Sequence, residues 1–345
     1  MAERAPVVAA GHRDPGAARS RLRPGWPMAV AALALVVATA FVAIALGPTQ
    51  VPLHEVFASL IGRSSSGFAS DIVLQVRLPR VCAALVCGAA LAVAGALVQA
   101  TFANPFVDVS LVGIAPVACV GAVACAAAFH TANVVVAAGA GLALTLVALS
   151  ALVRLRAGGL RFTLLGVAFG ALCTAVLGVL VSIPAVAGGR SVASWVFGSL
   201  ALADWPRVVV VAGAAVAGAA LLRSDSRALD AACLGEVPAR RLGVDVHRAR
   251  RRWIAAVALL VAPAVAMFGV IGFLGLAVPH ALRLAGLRMH RLLLPMSAAA
   301  GAWLLVVADT IARSAFKGAE VPVSFLLALI GAPVLMRVTL RGSRG

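Results

Sequence analysis

Residues 78–100 read LPRVCAALVCGAALAVAGALVQA, and this stretch decides the fold class. It contains 23 residues, and its only charged side chain is Arg80 near the start. A helix needs about 20 predominantly apolar residues to cross the hydrocarbon core of a bilayer. The stretch therefore predicts a membrane-spanning helix.

Segments of the same kind recur along the whole chain. Of its 345 residues, 63% are hydrophobic and 12% are charged, whereas soluble domains hold about 45–50% apolar residues. A soluble fold of this length could not bury so many apolar side chains, so the excess must face lipid or other helices. The composition predicts an all-α, polytopic membrane protein.

We count ten apolar segments as spanning helices. They are 27–47, 78–100, 110–130, 133–153, 162–183, 206–222, 253–271, 274–287, 292–312 and 322–338. The eighth is short and is interrupted by Gly275 and Pro279. The first follows several arginines, but its apolar run is too long for a signal peptide, whose apolar region spans about 7–15 residues. We predict a basic tail over 1–26 and a single transmembrane domain over 27–345.

The basic residues predict the orientation. The chain has 29 Lys and Arg against 12 Asp and Glu, a net charge of +17. With ten alternating spans and a cytoplasmic N-terminus, 22 of these 29 basic residues fall on the cytoplasmic side. Such a bias is the positive-inside pattern of membrane proteins, so both termini are expected in the cytoplasm. Because these residues border apolar runs, we predict contact with membrane lipid and no nucleic-acid partner.

The longest polar interruption lies on the predicted cytoplasmic side. Residues 223–252 read RSDSRALDAACLGEVPARRLGVDVHRARRR. Short helices are predicted around 229–234 and 238–242, with Gly235 and Gly243 as stops. A solvated linker and a partner-docking surface both fit this composition, and we favour docking.

The acidic residues argue against a proton-coupled transporter, which usually carries carboxylates inside the membrane. Only Asp309 falls within a predicted span, where Arg313 is four residues away and could neutralise it. We therefore keep an ion-coupled secondary transporter only as the alternative class of function.

Catalytic and nucleotide-binding patterns are missing from the sequence. The phosphate-binding loop requires Gly-Lys-Ser/Thr, and the single lysine, Lys317, follows Phe316. No HExxH or GxSxG pattern occurs, and the six cysteines form no CxxC pair. We predict no enzyme, no cofactor or metal bound by this chain, and no disulfides.

Five stretches of the sequence, in this order, carry recognisable motifs: QVRLPRVCAALVCGAALAVAGALVQATFANP at 75–105, SWVFGSLALADW at 194–205, LGEVPARRLGV at 234–244, IGFLGLAVPHALRL at 271–284, and ADTIAR, AEVPV and ALIGAPV between 308 and 334. Together they resemble the FecCD permease family of type II ABC importers. Two stretches depart from the family pattern: 113–118 lacks the usual small polar residues, and Ser324 replaces a glycine.

The resemblance implies the type II importer permease fold and a bacterial inner-membrane location. It implies a homodimer, or a pair with a paralogous permease, two ABC ATPase subunits that hold ATP and Mg, and a periplasmic or lipid-anchored substrate-binding protein. The implied cargo is a metal chelate, with a ferric siderophore as first choice and haem or cobalamin as alternatives.

The resemblance also implies roles for particular residues. Arg77 and Arg313 are expected to dock the binding protein, although Arg313 could instead satisfy Asp309, and Arg80 is expected to snorkel to the headgroups. The residues expected to couple to the ATPase are Leu234, Gly235, Glu236, Ala239, Arg240, Leu242 and Gly243. The residues of a possible cytoplasmic gate are Asn104, Pro105, Gly158, Gly159 and Leu160. Asn104-Pro105 could equally be a simple turn, and His280 is interpreted as structural.

Overall fold

The computed structural model describes residues 26–63, 67–110, 112–129, 133–154, 159–183, 192–315 and 321–342. Within these residues all regular secondary structure is helical, as predicted. The helices are α1 (Trp26–Ala45), α2 (Leu53–Leu60), α3 (Phe68–Asp71), a π-helical segment (Ile72–Arg77), α4 (Leu78–Thr101), α5 (Ile114–Phe129), α6 (Val134–Arg154), α7 (Gly159–Val181), α8 (Val192–Val196), α9 (Trp205–Leu221), α10 (Ser226–Ala232), α11 (Glu236–Arg241), α12 (Val246–Phe268), α13 (Leu274–Leu284), α14 (His290–Ala315) and α15 (Val323–Gly342).

Each of the ten predicted spans overlaps one of these helices, but not all are full-length spans. In the described part of the chain, six helices are long and apolar enough to cross a membrane. A seventh span results if α9 and α10, which are bent by 68° relative to each other, count as one. Three shorter apolar helices, α5, α13 and the first part of α15, occupy three further predicted spans. The predicted count of ten is therefore approximate.

Helix α12 begins earlier than its predicted span at 253. It starts at Val246 and takes in the arginine-rich run that the sequence analysis treated as loop. The Asp245 carboxylate accepts hydrogen bonds from the backbone N–H groups of His247 and Arg248, both at 3.1 Å. This N-cap satisfies two donors that a helix start otherwise leaves unpaired, which explains the longer helix.

Helix α4 forms the centre of the bundle and packs against α14, α13 and α12. Its glycines permit this close packing. A Cβ atom on Gly95 would overlap the backbone of Gly275 in α13, and one on Gly88 would overlap the backbone of Gly301 in α14. Gly88 and Gly95 therefore serve as packing residues, because any larger side chain would push the neighbouring helices away from α4.

The break between α12 and α13 is stabilised by hydrogen bonds to Trp195 and Ser199, and to Ser324 in α15. The backbone N–H of Ser199 donates to Phe268 O at 2.8 Å, and that of Val270 donates to Trp195 O at 3.0 Å. The hydroxyl of Ser324 accepts from Gly272 N and donates to Val270 O, both at 3.1 Å. Backbone groups away from water must find such partners. Ser324, which departs from the family pattern, thus bridges this break.

Candidate functional site

Three arginines and one aspartate meet where α1 ends and α4 begins, and we call this group the arginine cluster (Arg77, Arg80, Arg313 and Asp309). Arg80 contacts Asp309 through both carboxylate oxygens, with Nε at 3.0 Å from each and Nη2 at 2.9 Å from Oδ1. Asp309 is only 1% exposed, and Arg313 Nε lies 3.6 Å from its Oδ2. The predicted pair of Asp309 and Arg313 is present, but the predicted snorkelling of Arg80 is wrong, because a buried carboxylate holds its guanidinium.

The other two arginines cap the C-terminal end of α1. Arg77 is 3% exposed, and its Nη1 donates to the carbonyl oxygens of Ile44 and Ala45, both at 2.9 Å. Arg313 donates to the carbonyl of Ala43. The last carbonyls of a helix lack intrahelical partners and carry partial negative charge, which favours cations there.

This placement corrects the picture of Arg77 and Arg313 as exposed docking side chains. Both guanidiniums are buried and engaged within the chain, because the end of α1 supplies unpaired carbonyl oxygens. A role for Arg77 and Arg313 in binding a partner stays a prediction, and it requires these side chains to leave their carbonyl partners.

The loop segment 223–252 contains the two predicted short helices, shifted by a few residues. Helices α10 and α11 are separated by Gly235, whose φ of 102° suits glycine, and Gly243 follows with a φ of 77°. Three large apolar side chains around α11 are about two-thirds exposed: Leu234 at 65%, Val237 at 64% and Leu242 at 65%. Such exposed apolar groups outside a membrane span are typical of an interaction surface.

Within this segment Glu236 and Arg240, four residues apart on α11, form an ion pair. Arg240 Nη2 lies 2.7 Å from Glu236 Oε1, and His247 Nε2 lies 3.3 Å from the same oxygen. Ala239, on the same short helix, is fully buried. The coupling residues thus divide into an exposed set and one buried contact that seats α11. Nearby, the backbone N–H of Arg248 lowers the pKa of Asp245 below its usual value.

Sequence reasoning missed two aspartates that fasten α10 to the bundle. Asp225 is 3% exposed and accepts from Arg252 at 2.8 and 3.1 Å and from the Trp253 indole at 2.9 Å. Asp230 accepts from both the backbone N–H of His290 at 2.9 Å and its ring Nδ1 at 2.7 Å. These aspartates tie the short helix to α12 and α14. The signal in the sequence was their spacing of five residues in a loop otherwise rich in arginine.

The predicted gate residues are described only in part. Asn104 Oδ1 accepts from the backbone N–H of Phe106 at 3.0 Å, so the Asn104-Pro105 pair forms a turn. Gly158 lies outside the described residues, while Gly159 and Leu160 begin α7. The Phe106 ring lies 5.8 Å from that of His280, centroid to centroid, which gives His280 a packing contact. The gate stays a prediction.

A polar group beside this turn was also missed. Gln99 is 3% exposed and donates to the carbonyls of Val107 at 3.3 Å and Gly275 at 3.1 Å, while Arg283 donates to its Oε1. Asp108 is 1% exposed and packs against Gly275. The span count places Asp108 between two predicted spans, so nothing in the sequence indicates that this carboxylate is buried within the bundle.

In the described part of the chain, no group of three or more His, Cys, Asp or Glu side chains is placed to hold a metal ion. All six cysteines are free thiols. Cys233 is exposed, while Cys87, Cys119 and Cys173 are buried. The arrangement therefore consists of a buried arginine cluster at one end of the bundle and a two-helix loop at the other.

Comparison with known proteins gives the same family along most of the chain. A model described as the FecCD transport family matches residues 35–341. The vitamin B12 import system permease protein BtuC of Vibrio cholerae is 40% identical over 281 residues, covering 80% of this chain and 85% of the relative. The hemin transport system permease protein HmuU of Yersinia pestis is 37% identical over 313 residues, covering 87% and 92%. A solved structure of a metal-chelate type ABC transporter in an inward-facing conformation superposes with a TM-score of 0.76 at 28% identity, covering 91% of this chain and 99% of that one.

Proposed function

Because the chain belongs to the FecCD transport family, we propose that it is the membrane-spanning permease subunit of an ABC importer that carries a metal chelate into the cytoplasm. The observation that carries the proposal is the exposed loop segment 223–252, whose two short helices are fastened to α12 and α14 by Asp225 and Asp230. Through these contacts, a movement of a partner bound to the loop segment would be transmitted directly to the spanning helices α12 and α14.

The ATPase partner is proposed to sit on the exposed side of α11. Leu234, Val237 and Leu242 offer apolar contacts, and the Glu236–Arg240 pair offers both signs of charge at their centre. Desolvated apolar anchors bordered by charges are typical of protein interfaces. The sequence holds no Gly-Lys-Ser/Thr loop, so ATP and Mg belong to the partner in this proposal.

The cargo is proposed at the level of a metal chelate. Relatives named for vitamin B12 and for hemin transport match the chain with similar identity, so a ferric siderophore is not favoured over cobalamin or haem. A binding protein that delivers the chelate would set selectivity.

A second copy of the chain, or a paralogous permease, is proposed to complete the pathway. Helix α7 supports this, because its apolar side chains Leu164, Leu172 and Val179 are 60–68% exposed. Either lipid or a partner permease covers such a face. We also propose cytoplasmic termini in the bacterial inner membrane, which the positive-inside bias supports.

The test is reconstitution of the chain in lipid with its ATPase. ATP hydrolysis and uptake are measured with binding proteins loaded with cobalamin, haem or a ferric siderophore. We expect stable assembly with the ATPase and uptake of one of the three chelates that depends on ATP. Gradient-driven uptake by the chain alone, without any associated ATPase, would overturn the proposal in favour of a secondary transporter.

A further inference from the structure

A groove with an apolar body and a basic end runs between α4, α9, α12 and α14. Its apolar part has a volume of about 350 Å³, with walls that include Ala89, Val93, Ala212, Ala215, Ala219 and Ala298. The basic part has a volume of about 340 Å³ and shares Val93, Ala219 and Ala298 with the first. The two parts are therefore one continuous channel on the surface, which we call the α4–α9 groove.

The length of the α4–α9 groove matches one leaflet of a bilayer. Along α9 it extends from Ala212 to Arg223. With a rise of about 1.5 Å per residue, this distance is roughly 16 Å, or about half of the ~30 Å hydrocarbon core. Alanine side chains form much of its wall, because small side chains between larger neighbours such as Leu85 and Leu260 leave a trough. An extended acyl chain fits a trough of this shape.

The basic end presents two cations that have no partner among the described residues. Arg223, just past α9, and Arg291, the second residue of α14, are both exposed and line the groove with Ser226. Neither guanidinium makes a hydrogen bond or an ion pair with another described residue. Two unpaired guanidiniums that line one groove at a membrane border attract an anionic group, and their fork geometry suits phosphate.

His290 adds a buried polar atom to the same end. The residue is 3% exposed and lines the groove. Its Nδ1 carries a hydrogen, because its partner Asp230 can only accept. Its Nε2 has no hydrogen-bond partner among the described residues. Since buried polar atoms are nearly always paired, this nitrogen points to a polar group that arrives from outside the chain.

We propose that the α4–α9 groove binds one anionic glycerophospholipid from the leaflet that borders the loop segment. An acyl chain lies along the alanine wall, the phosphate lies between Arg223 and Arg291, and a head-group hydroxyl reaches His290 Nε2. A free phosphate would leave the apolar body of the groove uncovered, so the lipid explains both parts. This site is separate from the cargo and does not depend on the proposed function.

The test uses the full chain purified from bilayers of equal phosphatidylglycerol and phosphatidylethanolamine, with retained lipid measured by native mass spectrometry. The unmodified chain should retain phosphatidylglycerol in preference. In R223Q/R291Q this preference should fall by about fivefold per arginine, hence up to roughly 25-fold. The matched control is R227Q/R288Q, which removes the same charge from exposed arginines outside the groove. It should retain the lipid as before.

A second variant tests the apolar part with both arginines intact. Ala219 is exposed in the groove where its two parts join, so Ala219→Trp should expel the acyl chain while the thermal unfolding of the bundle stays unchanged. Equal retention of the two lipids by the unmodified chain would overturn the proposal. So would equal losses in both double variants, or retention by a folded Ala219→Trp. Displacement of the lipid by millimolar inorganic phosphate alone would assign the basic end to a free anion.

Discussion

Asp230 and His290 are joined by two hydrogen bonds that end on one carboxylate oxygen, from the backbone N–H at 2.9 Å and from ring Nδ1 at 2.7 Å. The contact spans 60 positions of sequence and links α10 in the loop segment to the first residue of α14. Helix α14 packs more extensively on the central α4 than on its other neighbours. A displacement of the loop segment therefore has a direct route to the middle of the bundle.

Removing this link should separate ATP hydrolysis from transport. Asp230→Ala deletes the carboxylate oxygen that accepts both hydrogen bonds from His290. Hydrogen bonds to a charged group contribute about 1.5–3 kcal/mol each. Because Asp230 is partly exposed, we expect a loss near the lower end of that range. The assembled transporter should hydrolyse ATP while importing several-fold less cargo per ATP. Arg227→Ala, on the same helix, serves as the control and should keep the ratio. A parallel fall of both activities would argue for a merely structural contact.

The arginine cluster should depend strongly on its single carboxylate. Asp309→Asn leaves Arg80 and Arg313 without a counter-charge, and breaking a buried ion pair costs about 3–5 kcal/mol. The Arg80 side chain is 19% exposed, so we expect a loss of roughly 2–4 kcal/mol, seen as a lower thermal unfolding midpoint in nanodiscs. The comparison is Asp204→Asn, whose partner Arg207 is more exposed. Asp204 caps the start of α9 by accepting from the backbone N–H of Arg207. Asparagine is also a good N-cap, so Asp204→Asn should cost little stability. Equal shifts would contradict the buried-pair interpretation.

Arg77 distinguishes capping of α1 from docking of a partner. Arg77→Gln removes donors from the carbonyls of Ile44 and Ala45. If the main function of Arg77 is to cap α1, the isolated Arg77→Gln permease should unfold at a lower temperature. Its affinity for the binding protein should change little. The affinity is measured by surface plasmon resonance on nanodiscs. An unchanged unfolding temperature with a tenfold or larger loss of affinity would restore the docking role that the sequence predicted.

The sequence was sufficient for elements governed by local pattern. Apolar length located α4 and α14, and the positive φ at Gly235 and Gly243 follows from glycine stops that a single sequence displays. Contacts between residues that are distant in the sequence could not be predicted from it. Nothing in the sequence around Arg80 distinguishes a headgroup contact from a buried carboxylate 229 positions away.

Asp108 shows a second reason for the limits of sequence reasoning. Counting spans places it in a connecting loop, yet that loop folds against α13 and buries the side chain. Helix α12 shows the opposite error. Its first two turns are charged and look like a loop in the sequence, yet they are capped by Asp245 and continue into the span. Hydropathy reports the length of the apolar run. The ends of a helix, and the burial of the loop beside it, depend on caps and tertiary contacts that hydropathy does not detect.

Close helix packing predicts opposite outcomes for two glycines. In Gly95→Ala the new Cβ would overlap the backbone of Gly275, so helices α4 and α13 must separate and the bundle should lose about 1–3 kcal/mol. Gly139 in α6 has no atom within 4 Å of the position of a Cβ. Gly139→Ala should be neutral or stabilise by up to about 1 kcal/mol through helix propensity. Both are measured by thermal unfolding in nanodiscs, and a tolerated Gly95→Ala would refute this contact.

The Glu236–Arg240 pair allows a test of whether α11 meets a partner. Both side chains are about half exposed, and such surface pairs contribute only about 0–1 kcal/mol to folding. The exchange E236R/R240E keeps an ion pair within α11 but reverses the charges offered to the ATPase. We expect normal folding and at least tenfold weaker assembly with the ATPase, measured by co-purification and titrated ATP hydrolysis. Arg241→Gln, one position along on the same helix, is the control. If the exchanged variant assembles as well as the original, α11 acts as a solvated linker and the ATPase docks elsewhere.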